Sequence, residues 1–241
     1  MKPRVIITRT QPGGDALASR LHGLGYDAIA MPLLAVEATD AVCPVPAATV
    51  RGIIITSAQA LRFFDSTAFL EIPVYAVGDA TAKAAHDAGF KNITDSGGDV
   101  ATLAACVRAI DPQGQWLHIG ADEVAAGTDN ALSGIGVPVT RWAVYRTVPT
   151  PLDTDCLQAY LQGDAPFIVT VHSPKGGALL AEAVRVYGTH KTLQKMFLLC
   201  LSQAVLKSVA SVACGNMYVA RTPDENALVD ALRNAWPPTL A

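Results

Sequence analysis

Charge is scarce in this chain and nowhere concentrated. Only 16% of its 241 residues are Asp, Glu, Lys or Arg, the formal net charge is −3, and no run of Lys or Arg occurs. That balance excludes nucleic-acid or anionic-membrane binding driven by bulk electrostatics, so an anionic ligand has to be held by local groups. Long hydrophobic runs are missing too. Met1-Lys2-Pro3-Arg4 leads into a short apolar stretch closed by Thr8 and Arg9, which lacks the apolar core of a secretion signal. The longest later stretch, Met196 to Leu201, is far below the roughly 20 residues that span a bilayer. The expectation is a cytoplasmic protein. Its five cysteines, Cys43, Cys106, Cys156, Cys200 and Cys214, form no CxxC pair and read as reduced thiols. The histidines His22, His86, His118, His172 and His190 show no paired metal-ligand spacing. Neither GxGxxG nor GxxxxGK[ST] occurs, which disfavours a nucleotide enzyme, and no GxSxG elbow marks a serine nucleophile.

What the chain does contain is a repeat. Ile53-Ile54-Ile55-Thr56-Ser57-Ala58 returns as Ile168-Val169-Thr170-Val171-His172-Ser173-Pro174. The sequel returns as well: Val74-Tyr75-Ala76-Val77-Gly78-Asp79-Ala80-Thr81-Ala82-Lys83 is echoed by Leu198-Leu199-Cys200-Leu201-Ser202-Gln203-Ala204-Val205-Leu206-Lys207. Upstream, Val5-Ile6-Ile7-Thr8-Arg9 and Gly25-Tyr26-Asp27-Ala28 resemble Trp116-Leu117-His118-Ile119-Gly120 and Gly136-Val137-Pro138-Val139. Each copy closes with an acidic residue, Asp99 or Asp224, opening an amphipathic helix, where the helix dipole favours negative charge. Two similar halves imply a cleft between them.

Half the residues are hydrophobic, with Ala, Val and Leu outweighing the 6% aromatics, as in packed α/β units. Short β-branched runs near 4–8, 28–36, 52–56, 73–77, 115–119, 138–145, 167–171, 197–201 and 217–220 alternate with helical stretches. This alternation predicts parallel sheets covered by helices. Leu17, Leu21 and Leu24 share one helical face, and Leu103, Val107 and Ile110 another; both stripes read as core. Extended segments at Met31–Glu37 and Trp142–Pro149 occupy equivalent places in the two copies. A plain tandem would divide near Asp111-Pro112-Gln113-Gly114, whereas an exchange of the opening βαβ elements would set those two segments side by side. Periodicity alone leaves both arrangements open.

The repeated strand-Thr-Ser-Ala turn, the Val77-Gly78-Asp79-Ala80-Thr81-Ala82 turn and the Val144-Tyr145-Arg146-Thr147 segment together resemble the uroporphyrinogen-III synthase family over essentially the whole chain. Ile7-Thr8-Arg9-Thr10-Gln11-Pro12 looks like that family's amino terminus, and Thr222-Pro223-Asp224-Glu225-Asn226-Ala227-Leu228 like its closing helix. The resemblance implies an α/β fold of two flavodoxin-like, doubly wound parallel-sheet lobes joined by a two-stranded linker. One lobe would comprise residues 1–36 plus 149–241 and the other 39–146, with linkers near 37–38 and 147–148. The implied reaction cyclises the linear tetrapyrrole hydroxymethylbilane with loss of water and inversion of ring D, and needs neither metal nor cofactor. A monomer, and a transient contact with hydroxymethylbilane synthase, are the further expectations.

The substrate implied by this resemblance is a polycarboxylate, and the backbone can stand in for the missing basic patch. Turns after parallel strands gather at one sheet edge, where helix amino termini present unpaired N–H groups. Thr56, Ser57, Ala58, Gly78, Ser173 and Ser202 stand at such turns, Thr81 follows in a first helical turn, and Arg9, Arg146 and Lys175 can add charge-assisted contacts. His172, beside Ser173, is placed to reach ligand, whereas His118 reads as structural. Ser57 and Ser173 are equally explained as plain N-caps. The second copy departs from the family pattern, with Ser202, Val205 and Leu206 for Gly, Thr and Ala, and Ile119-Gly120-Ala121 lacks the family's arginine. Tyr145 is the candidate proton donor for the departing hydroxyl, since a phenol with a reference pKa near 10 stays protonated at neutral pH. The rival reading is a non-enzymatic two-lobed binding protein for a small polyanion, since hinged α/β pairs also serve as receptors.

Overall fold

The computed structural model describes residues 2–110, 113–124, 127–136, 138–151, 153–156, 165–212, 214 and 216–238. The chain divides into two compact units, Met1–Ala35 with Val148–Ala241, and Val36–Thr147. It opens with β1 (Arg4–Ile7), α1 (Gly13–Gly23), β2 (Asp27–Ala30) and β3 (Leu34–Ala38). There follow β4 (Val50–Ile55), β5 (Val74–Ala76), α2 (Asp79–Asp87), β6 (Ile93–Asp95) and α3 (Val100–Arg108). The second copy supplies β7 (Gln115–Ala121), α4 (Thr128–Ser133), β8 (Val139–Pro149), β9 (Phe167–Val171), α5 (Pro174–Tyr187) and α6 (His190–Lys195). It ends with β10 (Met196–Cys200), α7 (Gln203–Ser208), β11 (Asn216–Val219) and α8 (Glu225–Ala235).

One sheet runs β11-β10-β9-β1-β2 and the other β3-β8-β7-β4-β5-β6. Pairing within the first sheet is parallel throughout, as it is from β8 to β6 in the second. Under the sequence repeat, β7, β8, β4, β5 and β6 are the counterparts of β1, β2, β9, β10 and β11. The two sheets thus share the flavodoxin-like order 2-1-3-4-5. Each sheet combines the opening strands of one copy with the closing strands of the other, which is the exchanged arrangement rather than the plain tandem. The tandem cut itself, at Asp111 and Pro112, lies outside the described residues. The chain leaves the first unit in β3 and re-enters it in β8, and residues 37–38 and 147–148 are strand residues. The bonds Thr39 N–H to Val144 O (3.0 Å) and Thr150 N–H to Leu33 O (3.0 Å) run in opposite senses along these neighbours, so they are antiparallel.

Alternation along the strands sorts side chains onto two faces. In the first sheet, Val5, Ile7, Ile168 and Leu199 pack under α1 and α8, through Leu17, Leu21, Leu228 and Leu232. Ile6, Val169, Leu198 and Cys200 turn to the other face and meet Leu180, Val205 and Val209 of α5 and its neighbour. In the second sheet, Ile53, Ile55, Leu117 and Ile119 face one way, and Ile54, Tyr75 and Trp116 face Leu103, Val107 and Leu132 of α3 and α4. Each fully buried Leu or Ile contributes about 1.5–3 kcal/mol, so these faces fix which strand end meets which helix start.

Three sequence expectations are corrected. The single strand over 28–36 is two strands, because Pro32 has no N–H to give a ladder and lies between them. Strand β6 was not anticipated: Ile93-Thr94-Asp95 is a sheet edge whose last two residues are exposed, leaving no apolar alternation to read. The turn after Ser57 leads into 3-10 structure at Ala58–Arg62 and Thr67–Phe69 instead of an α-helix. Phe64, Phe69 and Trp142 pack ring on ring there, with centroids 5.3–6.2 Å apart, and Asp65 ties back to Thr67 N–H at 2.9 Å.

Gly52 tests this packing. A Cβ built on it would lie 2.5 Å from the Trp116 ring, although its backbone is not in the left-handed region. Gly52→Ala is therefore expected to lower unfolding free energy by about 1–3 kcal/mol, read from the urea midpoint at constant m-value. An unchanged midpoint would mean that the indole is not fixed against β4.

Candidate functional site

Where strand order reverses, between β1 and β9 in one sheet and between β4 and β7 in the other, loops at the strand carboxyl ends part and leave room for a ligand. At the first switch point stand Thr8 and Arg9 after β1, His172 and Ser173 after β9, and Ser202 just beyond β10. At the second stand Thr56, Ser57 and Ala58 after β4, and Gly78 after β5. Each unit thus carries its own set of expected residues at one sheet edge.

Local hydrogen bonds explain why these turns form. Ser173 Oγ accepts from Gly176 N–H at 3.1 Å, Ser202 Oγ from Val205 N–H at 3.3 Å, and Ser57 Oγ from Gln59 N–H at 3.3 Å. All three serines are N-caps, each consuming one of the four N–H groups that a helix start leaves unpaired. Asp99 and Asp224 cap α3 and α8 through Thr102 N–H at 2.7 Å and Ala227 N–H at 2.9 Å. The Thr102 N–H bond holds the Asp99 carboxyl below its usual pKa range, and for Asp224 the Thr222 hydroxyl, donating at 2.6 Å, does so ahead of the Ala227 N–H. Lys175 lies in the first turn of α5, half-buried beside the Ser173 cap.

Three expected residues have their surroundings defined by packing or pairing within their own units. Thr81 is 5% exposed inside α2, and its counterpart Val205 is 1% exposed inside α7, so this position is packed in both copies. The replacement of a family threonine by Val205 therefore falls at a buried site. Arg9 is paired with Glu225 at the start of α8, and Arg20 reaches the same carboxylate at 3.1 Å. Arg146 likewise faces Glu37 at 3.4 Å. These arginines already have anionic partners within their own units.

Tyr145 reaches the edge of the second sheet through a bulge. Registers Ile119↔Trp142 and Gly120↔Ala143 are followed by Ala121↔Tyr145, so Val144 is the extra residue. Without that insertion Tyr145 would point away from Trp142. With it, the ring joins the same apolar cluster, stacks on Phe63 at 5.6 Å and stands level with the carboxyl end of β7. Phe63 ends the 3-10 segment that follows the Thr56-Ser57-Ala58 turn, so Tyr145, 8% exposed, packs on that segment within one unit. Sequence alternation could not have shown this, because the bulge breaks it.

Both edge histidines are neutral at pH 7. His172 is lowered to about 4 by burial and then by the Arg9 charge. His118, with its ring Nε2 at 3.2 Å from Thr56 Oγ1, is lowered to about 4 by burial and then by Arg141, with Asp129 opposing. Sequence reading set His118 aside, yet it touches an expected site residue. Burial, and then the neighbouring Cys214, push the Cys200 thiol up to about 11, so it is protonated at neutral pH. Among the described residues no group of three or more His, Cys, Asp or Glu could hold a metal ion, and no helix is long and apolar enough to cross a membrane. A cavity of about 330 Å³ in the first unit is lined mainly by apolar groups such as Ile6, Met31, Leu33, Leu180 and Met196, which offer nothing to a polycarboxylate.

The sequence profile described as "Uroporphyrinogen-III synthase HemD" matches residues 15–230. Among solved structures, uroporphyrinogen-III synthetase from Helicobacter pylori aligns with a TM-score of 0.67 at 17% identity, over 98% of this chain and 100% of that one. A mutant uroporphyrinogen III synthase from the extremely thermophilic bacterium Thermus thermophilus aligns with a TM-score of 0.52 at 18% identity, over 97% of this chain and 98% of that one. At these identities the likeness speaks for the fold. No curated protein shows significant sequence similarity to this chain.

The unfolded chain protonates these imidazoles near pH 6.5 and the folded chain only near 4. Between those values the unfolded state binds more protons, so the stability they contribute is complete above pH 6.5 and lost as pH falls through the window. His118→Asn is expected to flatten the dependence of unfolding free energy on pH between 7 and 5, measured by urea titration. An unchanged slope would contradict a buried, neutral His118.

Proposed function

The chain belongs to the uroporphyrinogen-III synthase family, and from that premise we propose how its own residues cyclise hydroxymethylbilane to uroporphyrinogen III. As a member of that family it is an enzyme of tetrapyrrole synthesis. In our reading it is a lyase: the C–O bond at the bilane's terminal carbon breaks and the hydroxyl leaves as water, pushed by the pyrrole nitrogen. Tyr145 donates the hydrogen bond, and in the limit the proton, that eases departure of the hydroxyl. Ring D is then attacked at its substituted carbon, and the spiro intermediate rearranges with that ring inverted.

The observation that supports these roles is the bulge in β8, which brings Tyr145 to the same sheet edge as Thr56, Ser57 and Ala58. In this proposal the hydroxyls of Thr56, Ser57, Ser173 and Ser202 and the first-turn N–H groups beyond Gly78 and Ser173 bind the acetate and propionate groups. Each exposed carboxylate at a helix start gains about 0.3–1 kcal/mol, and a substrate with several carboxylates multiplies that gain. His172 contributes a neutral imidazole, and Lys175 a positive charge from its first helical turn. Arg9 takes part by exchanging Glu225 for a substrate carboxylate. Most of the acceleration comes from holding the reacting ends together, where effective molarities can reach about 10⁵ M. The enzyme works in the cytoplasm as a monomer, without a cofactor, taking the bilane in transient contact with hydroxymethylbilane synthase.

The test is to give freshly prepared hydroxymethylbilane to the purified protein in metal-free buffer and to separate the oxidised isomers. Isomer III in excess is expected; isomer I alone would favour a binding protein instead. Tyr145→Phe is expected to lower kcat for isomer III roughly 10- to 100-fold, within the range of general acid catalysis, with product affinity preserved. Complete loss of isomer III with intact product binding would overturn the ranking of positioning above acid assistance.

A further inference from the structure

At each switch point an imidazole and a threonine hydroxyl are joined, with their places exchanged. The residue directly before the capping serine is Thr56 in one unit and His172 in the other. Behind Thr56 stands His118, with Nε2 at 3.2 Å from Thr56 Oγ1. Behind His172 stands Thr170, 0% exposed, with Oγ1 at 3.0 Å from His172 Nε2. The two pairs arise differently: the first joins the ends of neighbouring strands β4 and β7, whereas the second joins residues two apart on the segment leaving β9.

His118 is 1% exposed and lies on the α4 face of β7 with Trp116 and Gly120, opposite Arg141 of β8 in register. Its Nε2 edge is turned to Gly120, where a Cβ would come within 3.2 Å of that nitrogen, so the bare glycine leaves room for the contact with Thr56. The remaining side of the site is a cavity of about 320 Å³ lined by His118, Asp129, Ser133 and Arg141. The Arg141 guanidinium is itself held by Ala121 O, at 2.7 and 3.2 Å. Burial and that nearby charge keep the imidazole neutral, so it owns one N–H and exists as one of two tautomers.

We propose that His118 is a positioning residue whose Nε2–H donates to Thr56 Oγ1, leaving the Thr56 hydroxyl free to donate to a substrate carboxylate. This rests on the reading that the Thr56 turn holds a carboxylate. The alternative tautomer has the opposite effect: Thr56 would spend its only hydrogen on a bare Nε2 and present lone pairs to an anion that has nothing to donate. A carboxylate site at this turn therefore requires the Nε2–H form, with Nδ1 the bare nitrogen.

The full-length protein labelled with ¹⁵N-histidine reports the tautomer directly by long-range ¹H–¹⁵N correlation at pH 7, with the His118 signals assigned by their loss in His118→Gln. The Nε2–H pattern is expected; an Nδ1–H or imidazolium pattern overturns the proposal without needing any variant to be active. Kinetics give the second arm. His118→Leu and Thr56→Val are each expected to raise KM for hydroxymethylbilane roughly five- to tenfold with little change in kcat, the size of one lost hydrogen bond. The double variant is expected to be no worse than either, and His118→Gln, which keeps an N–H near the Nε2 position, to recover part of the loss. Additive effects, or an unchanged KM in His118→Leu, overturn the proposal. A wild-type protein that forms no isomer III defeats the functional reading instead, and the tautomer measurement separates the two failures.

Discussion

The proposed site depends on parallel pairing between strands that belong to different copies of the repeat. In the first sheet β1 pairs with β9, and the junction is reinforced by Thr8, whose N–H and hydroxyl both reach Thr170 O, at 3.3 and 2.8 Å, across 162 residues of sequence. In the second sheet β4 pairs with β7. These are the two places where strand order reverses. Had each copy closed on itself, the Thr-Ser turn would still follow β4, but His118 would not lie beside Thr56. The exchange of βαβ elements is thus what turns a strand-end threonine into half of a polar pair.

The same exchange accounts for how a chain without a basic patch can serve a polyanion. Three arginines are paired with carboxylates of their own units: Arg9 and Arg20 with Glu225, and Arg146 with Glu37. What the sheet edges supply instead are serine caps, first-turn N–H groups, a hydroxyl and neutral imidazoles. Such groups discriminate by direction rather than by net charge, because each donor points along a fixed line set by its cap. Neutral histidines suit this arrangement, since each offers one N–H whose position is set by its second hydrogen bond.

Much of this was legible in the sequence. Strong strands such as Ile53–Ile55 and Ile168–Val171 announce themselves by β-branched runs, and Asp99 and Asp224 mark helix starts by their chemistry. Other features were illegible for definite reasons. Ile93-Thr94-Asp95 has no alternation to read because two of its three residues face solvent. Tyr145 depends on a bulge that shifts register by one residue, and His118 on a cross-strand neighbour 62 residues away. The place of Thr81 after Gly78 is legible as a first-turn position, but its burial in α2 depends on tertiary packing that the sequence does not display. Local chemistry was readable; long-range register was not.

The central proposal is that substrate carboxylates bind at the carboxyl end of β4 in one unit and of β9 in the other, each unit by itself. Backbone amide NMR during titration with uroporphyrinogen III, the product and so free of turnover, tests it most directly. The account predicts the largest shifts at Ser57 to Gln59, Gly78 to Ala80 and His172 to Gly176. Shifts confined to the apolar cavity around Leu180, Tyr187 and Met196 would contradict it.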